Sequence, residues 1–394
     1  MTIDDAARSV HERWLLELTQ IPTATGREQR VIAWIERWVG ERDDLVIERD
    51  ASGNLVVRAE QAWGTGRPIY ITAHLDHPAF VVDRVLAPGT LQLEFRGGVM
   101  DEYFDEADVV VNTGDGGELA ARITQKLEGE KPGLKLYEGE LSEESDAISI
   151  GDVVTWALPA AEVIDGELHT NVCDDLAAAA AALSAFDVLR GLEGDRLDVR
   201  LLFTRAEEIG FIGAIGACKN GTMPGEARVI ALENSRSFAD SPIGGGPIVR
   251  VGDRMSVFSP SLTSAIAKRA EDVSGGSAHV LSVQKDADAP KWRWQRKLMA
   301  GGACEASVFC AYGYEATCVC LPLGNYHNMA DLDAVQSETN TSRPRVGREH
   351  IALGDYRGLI DLLVACGTEL PERAPLCERL EKLFEERSDV LREG

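Results

Sequence analysis

Apolar residues recur at one-turn spacing near the start of the chain, at Val10, Trp14, Leu15 and Leu18 and again at Val31, Ile32, Ile35, Trp38 and Val39. That period predicts two amphipathic helices. The segment TATGRE between them, residues 23–28, reads as a turn that caps the second helix. Four short, largely apolar runs follow, at 69–73, 199–203, 229–232 and 317–321. Runs of this length suit strands buried on both faces and covered by helices. Residues 176–183 include six consecutive alanines, a strong helix-forming stretch with a narrow side that can pack closely. The pattern predicts an α/β fold, a three-layer sandwich around a mixed central sheet.

Residues 80–167 differ in texture. Alternating apolar positions (Leu91, Leu93, Phe95; Val109 to Val111; Val153, Val154, Trp156) are separated by Gly and Asp turns with little helical period. This predicts a small β-rich, barrel-like domain inserted into a body made of 1–79 and 168–394. The stretch is too long for a loop without structure of its own. Lying away from the strand ends, it carries no evident catalytic duty. Near the C-terminus, Leu376, Leu380, Leu383 and Phe384 predict a terminal amphipathic helix that docks on the body or on a neighbour.

Charge narrows the classes of partner. With 40 basic against 65 acidic residues the net charge is −25, which argues against nucleic acid and anionic membrane as partners. No apolar run approaches the roughly 20 residues needed to span a bilayer. The opening MTIDDAARSVHERW is acidic rather than apolar, so it is not a secretory signal, and a cytoplasmic enzyme is expected. The eight cysteines lack the spacing of a structural zinc site, and most sit in apolar surroundings, as reduced, packed thiols do.

Each of the four apolar runs leads into side chains that can bind metal. The first meets His74 and Asp76 in TAHLDHPAF, the second Glu207 and Glu208 in TRAEEIGFIGA, the third Glu233 in RVIALENSR, and the last His327 in LGNYHNM. Sites in open α/β sheets gather beyond the carboxyl ends of strands, so four segments deliver imidazoles and carboxylates to one edge. In a strand-like stretch residues i and i+2 point the same way, so Asp76 can hold the tautomer of His74 while His77 faces away. In HTNVCDDL, the adjacent Asp174 and Asp175 exceed what a helix cap requires, and a carboxylate can bridge two cations through its two oxygens. Of neighbouring glutamates, one can bind metal and the other can take the proton of an attacking water.

This ordered set of His-x-Asp, Asp-Asp, Glu-Glu, a further acid and a late His resembles the co-catalytic zinc peptidases of the leucine-aminopeptidase-like clan. Within the clan it is most similar to the tetrahedral aminopeptidases, also called glutamyl aminopeptidases or endoglucanase-like proteins. The resemblance extends to LLELTQIPTATGREQRVIAWI, DASGNLVV, FRGG, IGDVV and GGGPIV, and to the position of the insert. It implies that Asp174 bridges two divalent metals, with His74 and Glu233 completing one and Glu208 and His327 the other. Glu207 would be the general base, Asp76 would support His74, and the Asp174–Asp175 peptide would be cis. Zinc fits a mixed imidazole and carboxylate site, with cobalt or manganese as substitutes.

The implied activity is an aminopeptidase acting on peptide substrates, with homo-oligomers built on dimers through the insert. The alternative within the clan is another amidohydrolase, a deacylase or carboxypeptidase. Departures from the family pattern lie at Glu233, at GGACEA with Glu305, and at Asn325-Tyr326-His327. Glu305 is the candidate receptor for a substrate's free ammonium group.

Overall fold

The computed structural model describes residues 3–131, 134–194, 196–278, 291–372 and 375–392. The chain begins with helices α1 (Asp5–Leu18) and α2 (Gln29–Gly40) and lays down strands β1 (Leu45–Arg49), β2 (Leu55–Ala59) and β3 (Ile69–His74). It then leaves for six strands, β4 (Ala79–Ala87), β5 (Thr90–Arg96), β6 (Asp108–Asn112), β7 (Glu118–Lys131), β8 (Leu134–Leu141) and β9 (Val153–Trp156). A hairpin follows, β10 (Glu162–Ile164) and β11 (Glu167–Thr170), and then α3 (Leu176–Arg190). The body resumes with β12 (Val199–Thr204), α4 (Ile212–Asn220), β13 (Arg228–Arg236), β14 (Ile248–Asp253), α5 (Pro260–Ser274), β15 (Gln295–Met299), α6 (Glu305–Ala311) and β16 (Glu315–Leu323). It closes with α7 (Leu332–Gln336), β17 (Glu349–Ala352), α8 (Leu353–Thr368) and α9 (Pro375–Arg387).

The large sheet has the order β1-β2-β12-β3-β13-β16-β14-β15. Strands β12, β3, β13 and β16 run parallel, while β2 and β14 run antiparallel to β12 and β16, so the sheet is mixed. Alternation along β3 sends Ile69, Ile71 and Ala73 into the core formed with α1, α2, α3, α5 and α8. Tyr70 points the other way, into the smaller core with α4 and α6. The result is a three-layer sandwich. The alanine helix is its centre: Ala177 to Ala182 are all 0% exposed, and α3 packs against α1, α8 and β3. Small side chains allow that many close neighbours at little cost in conformational freedom.

Strands β4 to β9 close into a barrel. Its core is aromatic, with Phe80 meeting Phe95 at 4.8 Å, Phe104 at 5.7 Å and Trp156 at 5.0 Å between ring centroids, the edge-to-face geometry that such rings prefer. Met329, Leu332 and Val335, all C-terminal to His327, belong to the same cluster. Barrel and body therefore share a core at the loop that carries a candidate ligand.

Two local expectations are corrected. The turn at 23–28 does not cap α2, since Glu28 at the N-cap makes no side-chain bond to the helix. Its carboxylate accepts instead from Gly26 N, Ala206 N and the Arg205 guanidinium, a charged partner outcompeting a neutral helix end. Strand β13 also runs past Glu233 to Arg236, because pairing with β16 continues there after pairing with β3 has stopped at Ala231. The terminal helix α9 is helical as expected, and Leu376, Leu380 and Phe384 on it remain more than half exposed.

Candidate metal centre

Register alone assembles the first row of the site. Thr204 of β12 lies opposite His74 of β3, and Ala231 of β13 lies opposite Thr72. Two residues further along both strands, Glu233 comes level with His74. The loop after Thr204 brings Glu207 and Glu208 over this row, and the loop after β16 brings His327. Asp174 arrives from the start of α3, through a cis peptide to Asp175.

The two imidazoles are aimed in the same manner. His74 Nδ1 donates to the carbonyl of Asp76 at 3.1 Å, and His327 Nδ1 donates to the carbonyl of Gly98 at 2.6 Å. A carbonyl can only accept, so each ring is fixed with its Nε2 turned toward the other candidate ligands. His74 Nε2 lies 3.3 Å from Asp174 Oδ1, and His327 Nε2 lies 3.5 Å from Asp174 Oδ2 and 3.3 Å from Glu208 Oε1. Asp174 thus presents one oxygen to each imidazole. Ligand atoms converge within 4.8 Å in three sets: His74, Glu207 and Glu233; His74, Asp174 and Asp175; and Asp174, Glu208 and His327.

These groups fit cations. Asp174 Oδ1, Glu208 Oε1 and Glu233 Oε2 are buried without a hydrogen-bond partner, a costly state for carboxylate oxygens unless something positive meets them. The ionisation pattern tells the same story. Burial raises the carboxyls of Glu207, Glu233 and Asp175 well above the usual range, with neighbouring carboxylates adding to it and His74 opposing it. For His74 and His327 burial acts downward, but the surrounding carboxylates outweigh it and hold both well above the ordinary histidine value. In effect the histidines supply the positive charge that the acids demand. A divalent ion would take over that role and release their protons.

Asp76 does more than face His74. Its carboxylate is 3.6 Å from Nδ1, whereas it accepts from Thr25 Oγ1 at 2.7 Å and from the backbone N–H of Glu207 at 2.9 Å and of Glu208 at 3.2 Å. It organises the glutamate turn, and its backbone carbonyl orients the imidazole. Glu305 is 1% exposed, its distant partner at 3.5 Å is Thr72, two positions before His74, and burial pushes its carboxyl up to about 7. An acid sealed away from solvent is poorly suited to receive a substrate amine, so the expectation for Glu305 is withdrawn.

Several site residues carry no mark in the sequence. Glu349, fully buried on β17, accepts from Cys173 N at 2.7 Å, Asp174 N at 3.0 Å and His327 N at 2.8 Å, so one carboxylate holds both halves of the centre. His77 bridges the Asp174 carbonyl at 2.6 Å and Asn328 at 3.0 Å. Gly98 belongs to the insert, which corrects the expectation that this part has no catalytic duty: its carbonyl aims a candidate ligand, and Tyr103 secures the same loop by donating to Ala330 O at 2.7 Å. Glu349→Ala should leave three buried N–H groups without acceptors, at about 1–3 kcal/mol each. Metal affinity should fall by roughly 10–100-fold, as when an outer partner of a ligand is lost. Metal retained on dialysis against graded chelator checks this.

The mixed sandwich with a barrel, carrying two histidines and several carboxylates at its parallel strand ends, fits a metallopeptidase. Residues 53–274 match the M42 glutamyl aminopeptidase family, and the chain belongs to it. A TET aminopeptidase from a marine sediment archaeon of the Thaumarchaeota has the same fold, with a TM-score of 0.72 at 17% identity over 92% of this chain and 97% of that one. The TET1 peptidase of Pyrococcus horikoshii, which can assemble into a tetrahedron or a large octahedral shell, matches with a TM-score of 0.68 at 24% identity, covering 91% of this chain and 100% of its own. A relative from Acetivibrio thermocellus, whose aminopeptidase name is provisional, is 25% identical over 273 residues, 65% of this chain and 78% of the relative.

Proposed function

We propose that this chain is an aminopeptidase that uses two divalent ions, zinc in the first instance, to remove N-terminal residues from peptides. The observation that carries the reading is Asp174 set between His74 and His327, one oxygen toward each, with Glu233 and Glu208 beyond. In this reading Asp174 would be shared between the two ions, with His74 and Glu233 holding one and Glu208 and His327 the other. Bound there, such ions supply Lewis-acid chemistry that polarises a carbonyl and acidifies water.

The chain's own residues do the rest. Glu207 is mostly buried beside His74 and Glu233, and its turn is pinned through its backbone N–H by Asp76. Its carboxylate takes the proton of the attacking water and passes it to the leaving amine. Burial raises Glu207 well above the usual carboxyl range. Asp76, Glu349 and the Gly98 carbonyl hold the geometry and prevent the ligands from turning away.

The acidic surface and the absence of a membrane-crossing helix among the described residues fit peptides in solution as substrates. Exposed apolar side chains on α9, and Val85 and Leu86 on the barrel, favour assembly into homo-oligomers, with the barrel as the dimerising part and the cytoplasm as the setting. A substrate panel tests the activity. Aminoacyl amides and short peptides with a free amine should turn over, while their N-acylated and carboxyl-terminal-reporter counterparts should not. Preference for the acylated forms would assign the chain to the deacylases instead.

A further inference from the structure

A second group of ligating side chains lies outside this centre, on the three-stranded sheet of β10, β11 and β17. His169 and His350 stand directly opposite each other in the antiparallel pair of β11 and β17. Their rings stack with 4.7 Å between centroids and 6° between planes, so sharing an ion requires the His169 ring to turn out of the stack. Glu167 is two residues from His169 and so shares its face, with Oε2 at 2.7 Å from His350 Nδ1. One ligand atom from each of the three lies within 4.8 Å of the other two, and all three side chains are half-buried rather than free in solvent.

We propose that Glu167, His169 and His350 bind a divalent transition ion of the zinc type, at a site separate from the Asp174 centre. Two imidazoles with one carboxylate favour zinc, cobalt, nickel or copper over calcium or magnesium, which take oxygen ligands. Three protein ligands leave a fourth position for water. The site is built rather than accidental. His350 rests on Gly324, where a Cβ would come within 1.9 Å of Nε2, so the ring can lie there only over glycine. That packing leaves Nδ1 to face Glu167.

The position gives the ion a purpose. Strand β11 runs on toward Asp174, and β17 carries Glu349 on the face opposite His350. Glu349 holds the backbone of both Asp174 and His327. An ion joining His169 to His350 therefore fastens together the two strands that support the centre from behind. Its role is bracing, not chemistry.

The test compares the metal-stripped full-length protein with His169→Gln and Glu167→Gln, each titrated with Zn²⁺ and assayed for bound metal after dialysis. The parent should bind one equivalent more than either variant. Because the comparison is with the parent, the occupancy of the Asp174 centre cancels, and the outcome does not depend on what the centre does. At saturating Zn²⁺ both variants should keep the parent's turnover, while the rise in melting temperature that Zn²⁺ produces should be smaller than in the parent. Equal Zn²⁺ stoichiometry in the parent and either variant would overturn the proposal.

Discussion

Glu207→Gln should abolish nearly all turnover while leaving the metal content of the protein unchanged. The amide keeps the shape of the side chain and removes only the proton acceptor, so kcat should fall by the roughly 10²–10⁴-fold that a general base contributes. Binding of a substrate-like inhibitor should survive, because ground-state contacts remain. Its neighbour should fail differently. Glu208 Oε1 lies 3.3 Å from His327 Nε2 and has no hydrogen-bond partner of its own, the situation of an oxygen waiting for a cation. Glu208→Gln should therefore hold one ion loosely, and excess metal should restore part of its activity. Excess metal should do nothing for Glu207→Gln. Metal content and kcat measured on both variants decide the matter, and loss of metal from Glu207→Gln would reverse the two roles.

Asp174→Asn should have the broadest effect of any single substitution. The carboxylate is buried and offers one oxygen to each imidazole, at 3.3 and 3.5 Å. Burial works to raise its pKa, but the two histidines prevail and hold it below the usual carboxylate range, so it is fully ionised at neutral pH. An amide turns one end into a donor that repels a cation. Both ions should then weaken together, by more than the roughly 10–100-fold cost of losing an outer partner. Activity should be lost even in excess zinc. Elemental analysis after dialysis, paired with an activity titration, provides the check; one ion retained at parental affinity would remove Asp174 from the bridging position.

How much of this could be read in the sequence depended on where the signal resides. The four apolar runs located β3, β12, β13 and β16, and the polar residues following them located His74, Glu207, Glu208, Glu233 and His327, because burial on both faces of a central strand leaves a continuous apolar signature. Partners that act through the backbone were invisible. The Gly98 carbonyl that orients His327 has no side chain to read, and Asp76 acts largely through N–H groups of residues far away in sequence. Glu349 lies in REHIAL, where an acid beside a short apolar run looks like any solvated strand end. Only the folded chain shows that run paired with β11 and the acid turned inward. The turn at 23–28 looked like a local cap because local rules see Glu28 and α2, but not the Arg205 guanidinium 177 residues away.

The pairing of His169 with His350 was hidden for the same reason, since neither flanks a long apolar run. The insert was visible as a change in texture, yet its contacts with His327, Met329 and Ala330 are ones that no periodicity encodes.

The central claim is that two ions sit astride Asp174. Anomalous diffraction from crystals of the zinc-loaded protein, recorded on both sides of the zinc edge, tests it most directly. Two peaks are expected at this centre, about 3.5–4 Å apart as in two-metal hydrolases, one beside His74 and Glu233 and the other beside Glu208 and His327, with the Asp174 carboxylate between them. A single peak there, or two peaks of which Asp174 touches only one, would contradict the account.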